Sequence, residues 1–162
     1  MVHAVYKCNN DIYTIIIISD TSYIDEDISS VSAMITDTDL AIYKENMVQS
    51  VSQKLAFSVF KNDIRIGFMY NRLDVHVYKG ASVRLTDPIG VLLGMKTVFE
   101  LLDTHKITFI PHAGGIKNFL SLVYGPDIRE YYSGAKDLVV RREYIEPKGL
   151  QMYKYLGIEK IQ

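Results

Sequence analysis

Apolar residues recur along this chain in two rhythms, a two-residue beat that suits strands and a three-to-four-residue beat that suits helices. His3–Lys7 and Ile12–Ser19 carry the strand beat on either side of a Cys-Asn-Asn-Asp turn, and the isoleucine run from Ile15 to Ile18 suits a strand covered on both faces. The chain then turns acidic at Asp25, Glu26 and Asp27. After it, Ile28–Met34 and Leu40–Val51 space their apolar residues helically and predict two short helices. Lys54–Phe60, Ile64–Tyr70 and Val75–Val83 return to the strand beat, with Lys61-Asn62-Asp63 as a tight turn, and predict an antiparallel meander.

The second half begins with the clearest helix signal. Thr86 or Asp87 can cap it, Pro88 suits its first turn, and Ile89, Leu92, Leu93, Val98, Leu101 and Leu102 follow at helical spacing. Lys106–Ile110 predicts a short strand ending at Pro111, and Gly114-Gly115 opens a helix through about Val123, which together imply a parallel crossover. Leu138–Ile145 predicts a late strand stopped by Glu146-Pro147, before a Tyr-rich tail that ends in Gly157. No repeat or low-complexity tract interrupts this order, so residues 1–162 read as a single domain.

Composition narrows the function classes. A 48% hydrophobic chain has ample apolar surface for one core, and a net charge of -1 with a pI near 6.4 offers no electrostatic case for a nucleic-acid or anionic-membrane partner. Cys8 is the single cysteine, which excludes an internal disulfide and a Cys-based zinc site. Met1 to Asn10 lacks the apolar centre of a signal peptide, and no apolar run reaches the roughly 20 residues of a membrane span. A cytoplasmic location is therefore expected. The 12 tyrosines leave a homo-oligomer open without arguing for one.

An antiparallel meander, a capped helix, a short strand, a second helix and a closing strand, over roughly Gln53 to Ile145, resemble the order of elements in GNAT acyltransferases. Ile107-Thr-Phe-Ile-Pro-His-Ala-Gly-Gly-Ile-Lys-Asn-Phe-Leu resembles that family's fifth strand and the start of its fourth helix, and Tyr124-Gly125 resembles its closing turn. The lead Val83-Arg84-Leu85 into the first long helix is similar to small GNAT-like proteins of bacteriophages, including virion-associated ones, for which the setting is the host cytoplasm or the virion. The resemblance implies an α/β (α+β) fold with a GNAT-like mixed, mostly antiparallel sheet and helices on both faces, splayed between strands four and five. It implies acetyl-CoA as cofactor, no metal, and acyl transfer from an acyl-CoA to an amine acceptor within a ternary complex.

The same resemblance assigns the site residues. Val83, Arg84, Leu85 and Gly90 fall where CoA would bind, the Val77–Leu85 backbone holding the pantetheine arm and Arg84 pairing with a phosphate. Tyr124 is the candidate acid for the CoA thiolate, although the family spacing points to Phe119 or Leu120. His112, at the end of the fifth strand, is a second acid or base, and Asp74 or His76 is the candidate base for the amine.

Each of these has a plainer reading: a helix-end tyrosine, a loop histidine and a solvated strand face. At the CoA loop, Pro88 removes a donor and Asp87, if it caps the helix, satisfies the first-turn amides and repels a pyrophosphate. Gly90 and Gly94 then read as close-packing residues. This departure favours a rival class, a catalytically degenerate structural or binding protein with a protein partner. The Asp25-Glu26-Asp27 group and the Asp37 and Asp39 pair read as solvated helix caps or faces, not metal ligands. Cys8 lacks a neighbouring base, and Arg141 and Arg142 beside Lys136 read as a small basic strand face.

Overall fold

A computed structural model describes residues 1–31, 37–74, 77–107 and 142–162. Its strands are β1 (Val2–Cys8), β2 (Asp11–Ile17), β3 (Ala56–Lys61), β4 (Ile64–Asp74), β5 (Val77–Arg84) and β6 (Glu159–Lys160). The helices are α1 (Ile24–Val31), α2 (Asp37–Ser52), α3 (Pro88–Thr104) and α4 (Arg142–Tyr155). The six strands form one sheet in the order β5-β4-β3-β2-β1-β6, and every described pairing is antiparallel. The expected parallel crossover, the strand to Ile110 and the helix from Gly114 lie outside the described residues.

Alternation along the strands sorts side chains onto two covered faces. Tyr6, Tyr13, Ile15, Phe57, Val59 and Met69 turn to one face and pack under α3, together with Ile158 after α4. Ala56, Phe68 and Tyr70, with Ile18, turn to the other and meet Ile24 of α1 and Met47 and Val51 of α2. The isoleucine run is indeed covered on both sides, Ile15 and Ile17 below α3 and Ile18 below α1 and α2. Each such fully buried side chain contributes about 1.5–3 kcal/mol. Helices on both faces of a mostly antiparallel sheet give the α+β class expected. No helix among the described residues is long and apolar enough to cross a membrane.

The turns follow their residue chemistry. Asn62 and Asp63 both take positive φ, 49° and 66°, as a two-residue hairpin between β3 and β4 requires. Asn62 also ties that hairpin to β2, accepting from the Ile12 N–H at 2.9 Å and donating to Asp11 at 2.8 Å. Gly67 lies so close to β5 that a Cβ there would stand 2.2 Å from the Arg84 carbonyl oxygen, which no other residue permits.

Three expectations change. Arg142 to Ile145, expected as strand, open α4, and Pro147, expected as a stop, lies inside it. Pro147 is the sixth residue of α4, where it removes one N–H from the ladder and crowds the carbonyl four residues back, and the packing of α4 against α3 outweighs that local cost. The tail does not end the fold at Gly157: Ile158 is buried, and Glu159 and Lys160 pair with Lys7 and Tyr6 of β1. The acidic group opens α1 instead of preceding it, and Asp27 is 1% exposed where a solvated face was expected.

Candidate functional site

The N-terminus of α3 is where the resemblance to GNAT acyltransferases would put a phosphate. Asp87 takes an extended backbone conformation as N-cap, and its Oδ1 accepts from the Ile89 N–H at 3.0 Å and the Gly90 N–H at 2.9 Å. The Tyr13 hydroxyl points between the two carboxylate oxygens at 3.1 and 3.2 Å, and Lys61 Nζ donates to Oδ2 at 3.1 Å. Lys61 also stands 5.7 Å from the Tyr13 ring centroid. Burial disfavours the ionised carboxylate, but the Gly90 N–H, Lys61 and Tyr13 outweigh it and hold Asp87 below the usual carboxylate range. Tyr13 is pushed up to about 12, first by burial and then by the Asp87 charge. The positive end of the helix is thus already neutralised by a side chain of the chain itself.

Around this end the four residues assigned to CoA converge, each with a partner. Val83 pairs with Met69 and Arg84 with Phe68 along β5. The Arg84 guanidinium donates to the Ser30 carbonyl at 2.6 Å, which fastens β5 to the end of α1. Leu85 is buried against Gly67 and Gly94. At Gly90 a Cβ would stand 3.2 Å from Ile66 Cδ1, and at Gly94 3.1 Å from Leu85 Cδ1, so both glycines let α3 settle on the sheet. No described strand pairs with the outer edge of β5.

Of the catalytic candidates, Asp74 alone is among the described residues, and it lies away from this cluster. Asp74 ends β4 at the hairpin, paired with Val77, seven residue steps along β5 from Arg84 or roughly 23 Å at the usual strand rise. His76, His112 and Tyr124 lie outside the described residues.

Two further polar clusters escaped the sequence. On the α1 face, Asp27 accepts both terminal nitrogens of Arg65, at 2.6 and 2.8 Å, and the Tyr70 hydroxyl at 2.5 Å. Arg65 also donates to Ser58 at 2.9 Å and stacks on Tyr23 at 3.9 Å. This network pins α1 to the sheet. Acidic residues at the start of a helix gave no sign that one of them faces inward.

The other cluster lies between α3 and α4, beside a cleft of about 160 Å³ lined by Leu92, Met95, Phe99, Leu150 and Tyr153, with Lys96 and Glu100 as its charged residues. Lys96 Nζ stands 3.7 Å from Glu100 Oε2 and 5.6 and 5.7 Å from the Tyr6 and Tyr153 ring centroids. His3 Nε2 is 3.6 Å from Glu100 Oε1. Burial works against the Glu100 charge, yet His3, Lys96 and Lys160 hold this carboxyl below its usual range. Among the described residues Tyr6 Oη is buried without a hydrogen-bond partner, and His3 Nε2 and Glu100 Oε1 are buried with only that longer contact to each other.

No family model, curated protein or solved structure matches this chain.

Proposed function

We propose that this chain is a binding or structural domain that does not use acyl-CoA, the degenerate form of the GNAT-like fold its sequence resembles. One observation carries the reading: the first-turn amides of α3 that would hold a pyrophosphate are given to Asp87, itself held by Tyr13 and Lys61. An anion approaching the helix end would meet a carboxylate in place of free N–H donors. Displacing that carboxylate would leave a buried tyrosine hydroxyl unpaired, a cost of about 1–3 kcal/mol before any phosphate contact forms. Pro88 supplies no donor in compensation.

Isothermal titration with acetyl-CoA and free CoA at moderate salt tests the reading. We expect no heat and no rise in melting temperature at millimolar ligand. Micromolar binding would restore the transferase reading, since a ligand at a hundred times its dissociation constant adds about 2.7 kcal/mol to the folded state.

A further inference from the structure

Among the described residues, Tyr6 Oη is buried without a hydrogen-bond partner beside the α3–α4 cleft, and His3 Nε2 and Glu100 Oε1 in the same cluster meet each other only at 3.6 Å. A buried hydroxyl without a hydrogen-bond partner is rare enough in folded proteins to call for a cause. The same cluster already holds an ammonium group. Tyr6 and Tyr153 meet edge to face with centroids 6.2 Å apart, Lys96 Nζ lies within cation–π range of both rings, and Glu100 supplies the counter-charge. Lys96 reaches this box on a flexible stem and remains 28% exposed, so it can leave for water at little cost. Beside the box, the cleft offers mainly apolar walls and a volume that suits about one ring.

We propose that this cleft binds a small organic amine, an apolar body of about one ring with a protonated amino group that takes the place now held by the Lys96 ammonium. The body fills the space beside Leu92 and Leu150, and the amino group meets the two tyrosine rings and donates to Glu100. Lys96 acts as the resident competitor. A carboxylate on the same body is disfavoured, because Glu100 would face it across the box. The inference does not rest on the Asp87 argument, and either can fail without the other.

The test uses the full chain with 2-phenylethylamine, and with 3-phenylpropionate and 2-phenylethanol as anionic and neutral counterparts of similar body. Binding is followed by amide chemical shifts on α3 and α4 and by melting temperature. We expect saturable binding of the amine alone, about tenfold tighter in Lys96→Ala and lost in Glu100→Gln. Lys96→Met, which keeps the apolar stem, replaces Lys96→Ala if that variant does not fold. The proposal is overturned if wild type shows no saturable shift with the amine, if the anion binds as tightly, or if removing the Lys96 ammonium leaves amine affinity unchanged.

Discussion

Helix α3 carries two carboxylates in matching company. Asp87 has Tyr13 and Lys61, with the lysine 5.7 Å from the tyrosine ring, and Glu100 has Tyr6 and Lys96, with the lysine 5.6 Å from the ring. Their outcomes differ. Asp87 accepts from two backbone amides, a hydroxyl and an ammonium, while Glu100 meets His3 and Lys96 only at 3.6 and 3.7 Å and, among the described residues, the Tyr6 hydroxyl has no hydrogen-bond partner. The difference lies in helix position. A carboxylate at the N-cap finds N–H groups that the helix cannot use, whereas one in the helix body finds every nearby amide already committed. The same three residue types make a closed structural node at one end of α3 and an open cluster beside a cleft further along it.

The largest expected break in this comparison comes from deleting each carboxylate. Asp87→Ala removes a cap worth about 1 kcal/mol and strands the Tyr13 hydroxyl, so chemical denaturation should show a loss of about 2–4 kcal/mol. Glu100→Ala breaks longer ion pairs, at 3.6 and 3.7 Å, and leaves the partly exposed Lys96 free to reach water, so the loss should stay near or below about 1 kcal/mol. Equal losses would mean that Asp87 is no more a node than Glu100.

A smaller effect sharpens what the two tyrosines share. Burial is the first cause raising both, Tyr13 to about 12 and Tyr6 further. A group whose folded pKa is raised contributes stability that is whole below its unfolded value near 10 and is lost as pH climbs through the folded value. Between about pH 10 and 12, Tyr13→Phe should therefore reduce the slope of unfolding free energy against pH by nearly one proton, about 1.4 kcal/mol per pH unit. Tyr6→Phe should do the same. An unchanged slope in either variant would show that its ring meets water in the folded chain.

How much of this could be read in advance divides along similar lines. The hairpins, the three-strand meander and the Asp87-Pro88 helix start were legible because each rests on local chemistry: alternation, Asn-Asp at positive φ, and a capping carboxylate before proline. Asp27 was not, since nothing within α1 announces Arg65 and Tyr70, which arrive from about 40 residues away. The α3–α4 cluster was hidden for the same reason, its members coming from β1, α3 and α4. Residues near Pro147 misled because a local stop signal was outweighed by the helix that follows it. Pairing of Lys160 with Tyr6 is likewise a long-range contact that no window of sequence contains.

The finest prediction concerns the two hydroxyls at neutral pH, where burial no longer speaks and only hydrogen bonding does. Tyr13 Oη donates to a charged acceptor, an interaction worth about 1.5–3 kcal/mol, and its loss in Tyr13→Phe also removes one of the groups that hold Asp87 ionised. Tyr6 Oη is buried with no hydrogen-bond partner among the described residues, so the folded state already bears its desolvation. Replacing it with hydrogen keeps the ring, its edge contact with Tyr153 and its place in the core. Tyr6→Phe should then change unfolding free energy by less than about 0.5 kcal/mol, or stabilise the chain. A loss as large as that of Tyr13→Phe would show that the hydroxyl holds an ordered partner, and the open cluster would be as closed as the node at Asp87.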